Sequence, residues 1–204
     1  MSTYVAVGSK ESSRSSRLRA AWRAAHEPVP GVPRWVLIAA YAVPFTVLPS
    51  SLWRIAAVTF HLPIVTDPPR GGQPLGMPDE VYVVVLSAVS ELLAFTAVGL
   101  VARWGEVFPW WVPGLRGRRV PTAAAVVPAA LGATVLTVLW TKVFAGLHAS
   151  LGHPAPPGDP IAEHGWRLVV FVGSYAPLLL WGPLLAAVTV AYWRRRTRNN
   201  QRGQ

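Results

Sequence analysis

Glu91 stands alone in the stretch LSAVSELLAF, and no other charged residue occurs between Val81 and Ala102. A carboxylic acid inside an apolar run is costly to bury unless it is paired or hydrogen-bonded. Its surroundings are therefore the first place to look for chemistry. At helical spacing Ser87 lies one turn before Glu91 on the same face, and Ala94 lies one turn after it. Partners of matching depth occur in the other apolar runs. Ser50, Ser51 and Arg54 lie late in the first. Thr134, Thr137 and Thr141 form one stripe at i, i+3 and i+7 in the third, with Lys142 beside it, and Ser174 and Tyr175 lie early in the fourth. Glu91, Arg54, Ser87, Thr134, Thr137, Thr141, Lys142, Ser174 and Tyr175 thus make a candidate intramembrane polar cluster.

Three uses fit such a cluster: a hydrogen-bonded or ion-paired clamp between helices, a pocket for a small ligand or lipid headgroup, or a proton carrier at Glu91. The expected arrangement has Glu91 facing the interior and joined to Arg54 directly, or through a hydroxyl or water. Arg54 and Lys142 also have the reach to place their charges among lipid headgroups without meeting Glu91.

Other chemistries are poorly served. The chain has no cysteine, which excludes disulfides, thiolate metal sites and thiol nucleophiles. His61, His148, His153 and His164 belong with Asp159 and Glu163 to the loops expected outside, but no histidine pair has the i, i+4 spacing of a helical zinc motif. The segment PRGGQPLG lacks the lysine of a phosphate-binding loop, and no nucleophile elbow is present. No catalytic residue, metal or cofactor is expected.

The elements that must position the cluster are four long apolar runs, at 35–58, 81–102, 121–144 and 168–193. Each is long enough to cross a hydrocarbon core of about 30 Å as a helix. The chain is 52% hydrophobic and only 14% charged, against about 25% charged in soluble domains. None of the runs alternates as a barrel strand would. The fold class is all-α, a four-helix transmembrane bundle, with Pro44, Pro49, Pro128, Pro177 and Pro183 expected to kink its helices. Residues 1–33 read as a basic mobile tail, 34–193 as the transmembrane domain and 194–204 as a second basic tail. Within the first tail, Arg17 to Glu27 has the pattern of a short amphipathic surface helix. A polar leader of this length before the first run is unlike a cleaved secretory signal, so that run is expected to stay as an anchor.

Fifteen Lys and Arg residues lie in the two tails and the middle loop, and only Arg70 and Arg167 in the other two loops. Basic segments remain cytoplasmic, so both termini and the middle loop are expected inside. The net charge of +10 flanks apolar spans, which favours anionic lipid headgroups over nucleic acid as the partner. The outer loops HLPIVTDPPRGGQPLGMPDE and GLHASLGHPAPPGDPIAEHGW are rich in Pro and Gly and are expected to be irregular. GPLLA (Gly182 to Ala186) and AALGA (Ala129 to Ala133) suit close helix packing, within the chain, in a homodimer, or against a membrane partner protein.

The middle loop, RWGEVFPWWVPGLRGRRVP from Arg103 to Pro121, resembles a loop in small multi-spanning membrane proteins of actinobacteria. The resemblance implies a four-span layout in a bacterial cell membrane and carries no activity. Trp104, Phe108, Trp110 and Trp111 read as anchors at headgroup level. The sequence therefore supports a non-enzymatic integral membrane protein that acts structurally or through a partner. The alternative is binding or transport of a small molecule or lipid headgroup, proton-coupled through Glu91.

Overall fold

The structure, a computed structural model, describes residues 29, 31–65, 76–102, 105, 120–150 and 165–202. The expected amphipathic helix at Arg17–Glu27, most of the middle loop, and His153, Asp159, Glu163 and His164 lie outside the described residues.

Among the described residues, four helical segments are long and apolar enough to cross a membrane. Helix α1 is Arg34–Arg54 and continues as a π-helical turn, Ile55–Thr59; α2 is Asp79–Gly99, α3 Thr122–Ser150, α4 Trp166–Tyr175 and α5 Leu178–Arg202. Prolines set several boundaries. Pro33 and Pro78 are extended residues immediately before α1 and α2, and their carbonyls accept the first bonds from Val36 N, Leu37 N and Tyr82 N. Asp79 and Glu80 place negative charge on the first turn of α2, where the helix dipole favours it.

Several boundaries differ from the expected ones. The fourth run, read as one helix over 168–193, is two helices meeting at Ala176 and Pro177. Pro177 has no N–H to give, so Ala176 N closes α4 on the Val172 carbonyl at 2.7 Å and Leu180 N opens α5 on the Pro177 carbonyl at 3.0 Å. The third helix runs on to Ser150 rather than stopping at 144, so the segment read as the irregular start of an outer loop is helical. Its residues Ala145, Leu147 and Ala149 are good helix formers, and its first proline comes only at Pro154. Likewise α5 carries the basic segment to Arg202 as helix.

Helix α1 is the centre of the packing, touching α2, α4 and α5, whereas α3 rests mainly on α5. The shared core is built from small and β-branched side chains: Ala40, Val43 and Val47 of α1, Ala94 of α2 and Val188 of α5 are fully buried. Close approach of this kind is what holds helices together where lipid removes the hydrophobic driving force. The tightest point is between α3 and α5. A Cβ on Gly182 would run into the Thr137 hydroxyl and into the backbone at Ala133 and Thr137.

Three long-range hydrogen bonds order the ends. Val29 N donates to the Val101 carbonyl at 3.1 Å, Arg195 Nη2 to the Leu100 carbonyl at 3.3 Å and Arg196 Nη2 to the Val120 carbonyl at 2.6 Å. The approach to α1, the exit of α2, the entry of α3 and the end of α5 therefore meet at one end of the bundle, called proximal below. The π-helical turn and the starts of α2 and α4 form the distal end.

Candidate functional site

Arg54 is the last residue of α1 before its helix widens into the π-helical turn. Such turns often mark functional positions in helices. The backbone of Phe60 donates to the Ile55 carbonyl at 3.1 Å, and His61 then takes a left-handed conformation (φ 51°) that ends the span. This end of α1 sets the guanidinium among side chains from three helices. Arg54 Nη2 donates to Ser51 Oγ of its own helix at 3.4 Å, and Nε donates to Ser87 Oγ of α2 at 3.4 Å. The Tyr175 hydroxyl at the end of α4 lies close to the guanidinium. Ser51 and Ser87 are 4% and 3% exposed, so both hydroxyls work where water is scarce.

Glu91 joins this group indirectly. Its carboxylate lies beside Ser51 and in the field of Arg54. Ser51, which accepts from Arg54, therefore stands between the base and the acid. The Glu91 oxygen Oε1 is buried without a hydrogen-bond partner. The group sets a base, a hydroxyl and an acid in sequence, and Glu91 adds acceptor capacity at its buried oxygen.

An aromatic shell surrounds Tyr175. Its ring centroid lies 4.7 Å from Phe171 of α4, 5.4 Å from Trp53 of α1 and 6.0 Å from Trp140 of α3. Trp53 also meets Phe171 edge-on at 5.3 Å. These rings flank the polar group on the side away from α2 and connect α3 to it through Trp140.

The structure brings together Arg54, Ser87, Glu91 and Tyr175 of the residues singled out in the sequence. It does not bring the α3 stripe to them. Thr134 and Thr141 are exposed on α3, as is Lys142, and Thr134 Oγ1 bonds the Ala130 carbonyl of its own helix at 2.9 Å. Thr137 is at the α5 contact, beside Gly182, and donates to the Ala133 carbonyl at 2.7 Å. The reason is topological: α3 packs on α5 and not on α1 or α2, so its stripe has no route to Glu91. Ser174 is half-buried on α4 next to Tyr175. Sequence reasoning left Ser51 out of the cluster, although its position three residues before Arg54 puts both on one helical face.

A second feature was signalled in the sequence only by the small residues of AALGA. Below the polar group, toward the proximal end, α2 and α3 part and leave an apolar groove of about 580 Å³. Leu93 and Thr96 of α2 form one wall, Ala129 and Gly132 of α3 the other, and Trp181 and Leu185 of α5 the floor. Glu91 is absent from the lining of this groove and of the two other principal cavities. No family model, no curated protein and no solved structure matches the chain.

Proposed function

We propose that this chain is a non-enzymatic multi-pass protein of a bacterial cell membrane, with both termini cytoplasmic, that receives an apolar transmembrane helix of a protein partner in the groove between α2 and α3. The observation that carries the reading is the groove itself. Of the residues in an apolar eighteen-residue stretch of Arg34–Thr59, 44% are buried, against 6% in such a stretch of α3. A span so little covered, flanked by a groove lined by Gly99, Ala125, Ala129 and Gly132, offers the small-residue surface on which a helix backbone packs closely. The polar group of Arg54, Ser51 and Glu91 then serves as the clamp that keeps α1 and α2 together while α3 stays apart. The resemblance of the middle loop and the basic character of the proximal end support the membrane and the orientation.

The absence of native cysteine makes a direct test simple. A single cysteine at Val135, in the groove, should cross-link in native membranes to a second copy or to one defined protein. A cysteine at Val143, exposed elsewhere on α3, should not. The adduct should disappear when Gly132→Leu fills the groove. Equal yields from the two positions, or adducts indifferent to Gly132→Leu, would sink the reading. For orientation, a reporter active only outside the cytoplasm should be silent after Gln204 and active at Gly158.

The orphaned Oε1 of Glu91 supports a second reading, in which a small polar molecule or a proton uses that acceptor. Proteoliposomes should then show a proton flux that Glu91→Gln abolishes; no flux from wild-type protein would rule this out.

A further inference from the structure

The arginines that end α5 divide into two groups by what they touch. Arg196 is directed to the Val120 carbonyl at the start of α3, and Arg195 reaches Leu100 while lying over the Tyr192 ring. Arg194 and Arg198, one turn apart, are exposed and face another way. With Arg195 they line a cavity of about 620 Å³ between the entry of α1 and the end of α5. Its other lining is apolar: Pro33 and Trp35 from the α1 side, and Ala186, Ala187 and Val190 from α5. Gly31, held at φ 84°, turns the chain at its rim, a conformation a side chain would strain.

We infer that this cavity binds one anionic phospholipid, its phosphate on Arg194 and Arg198 and an acyl chain against the small face of α5. The shape and chemistry change together along it. From Arg198 to Ala186 the cavity follows α5 for about 18 Å, from a cationic mouth to a floor of small side chains within the apolar span. Trp35, 56% exposed, stands at the boundary where an indole prefers the headgroup level. Among the described residues no carboxylate lines the cavity, and Arg194 and Arg198 present charge of one sign toward a ligand. Basic pockets between transmembrane helices recognise anionic headgroups in this way. A free phosphate would use the mouth and leave the apolar floor empty. A nucleic acid could not enter a cleft that penetrates the span. The inference rests on α1 and α5 being membrane spans and not on the partner groove, which lies on the other face of α5.

The test uses the full chain in detergent with added lipids of identical acyl chains, phosphatidylglycerol or phosphatidylcholine, read by native mass spectrometry. Phosphatidylglycerol should be retained preferentially. Arg194→Gln or Arg198→Gln should each weaken it about fivefold, and the double variant about 25-fold, at roughly the effect of one basic residue near a lipid surface per substitution. Arg194→Lys should retain most of the binding, which separates charge from folding. Lys142→Gln, an exposed cation on α3 toward the distal end, should change nothing. Glycerol phosphate in large excess should not compete. Equal retention of phosphatidylcholine, indifference to the double substitution, or displacement by glycerol phosphate would each overturn the lipid site. Failure of the reporter or cross-linking tests above would leave these outcomes unchanged.

Discussion

Toward the distal end, Arg54, Ser51, Ser87, Glu91 and Tyr175 draw α1, α2 and α4 onto one another; toward the proximal end, α2 and α3 part around an empty apolar groove. The first region is polar and closed, the second apolar and open. In water the opposite would be expected, since apolar grooves close and charges stay wet. In lipid the ranking reverses. Acyl chains solvate an apolar groove as well as protein does, so nothing forces α2 and α3 together. A charge at that depth has no water to solvate it and gathers polar groups within reach.

If this difference is real, the polar group should be the most sensitive part of the bundle. Arg54→Met should lower stability in detergent by about 1–3 kcal/mol, the cost of leaving the buried Ser51 and Ser87 hydroxyls without their charged donor, with a smaller loss in lipid. Glu91→Gln should cost less than Glu91→Ala, because an amide still offers Ser51 an acceptor. A double-mutant cycle between Arg54→Met and Glu91→Ala should show coupling, and that coupling should largely vanish on a Ser51→Ala background. Coupling that survives without Ser51 would mean the acid and base meet directly.

The next effect compares two glycines on the facing helices α3 and α5. Gly182→Ala forces a methyl into the backbone of α3 and should destabilise by about 1–3 kcal/mol. Gly132→Ala meets only Leu185 Cδ2 at 3.9 Å and should be neutral, or stabilising by up to about 1 kcal/mol through helix propensity. Thermal unfolding of the two variants side by side decides it. Similar losses would mean that the groove is closed in the membrane.

The smallest effect belongs to an exposed polar contact at the distal end. His61 Nε2 and Glu80 Oε1 are 3.7 Å apart with both side chains largely exposed. Glu80→Gln should move stability by less than about 0.5 kcal/mol, since exposed pairs are screened. A larger loss would place this contact in lipid rather than at the surface, and would shift the depth assigned to Arg54.

The four spans were legible because twenty apolar residues in a row, bounded by polar ones, have few other ways to satisfy their backbone than as a membrane helix. The same length argument blurred ends: it missed that α3 continues to Ser150 and that Pro177 divides the fourth run. Glu91, Arg54, Ser87 and Tyr175 could be singled out by depth, since rise per residue is fixed along a helix. Depth carries no information about which helix neighbours which, and that is why Thr134, Thr141 and Lys142 were grouped with a site they do not reach. Neighbour choice depended on tertiary facts: the contact of Gly182 with Thr137 that assigns α3 to α5, and the small face of α1 that admits α2 and α5 together. The groove and the arginine-lined cavity exist only between helices so arranged. One-dimensional periodicity determines what each helix can bury, while the packing of unlike surfaces decides what is left uncovered.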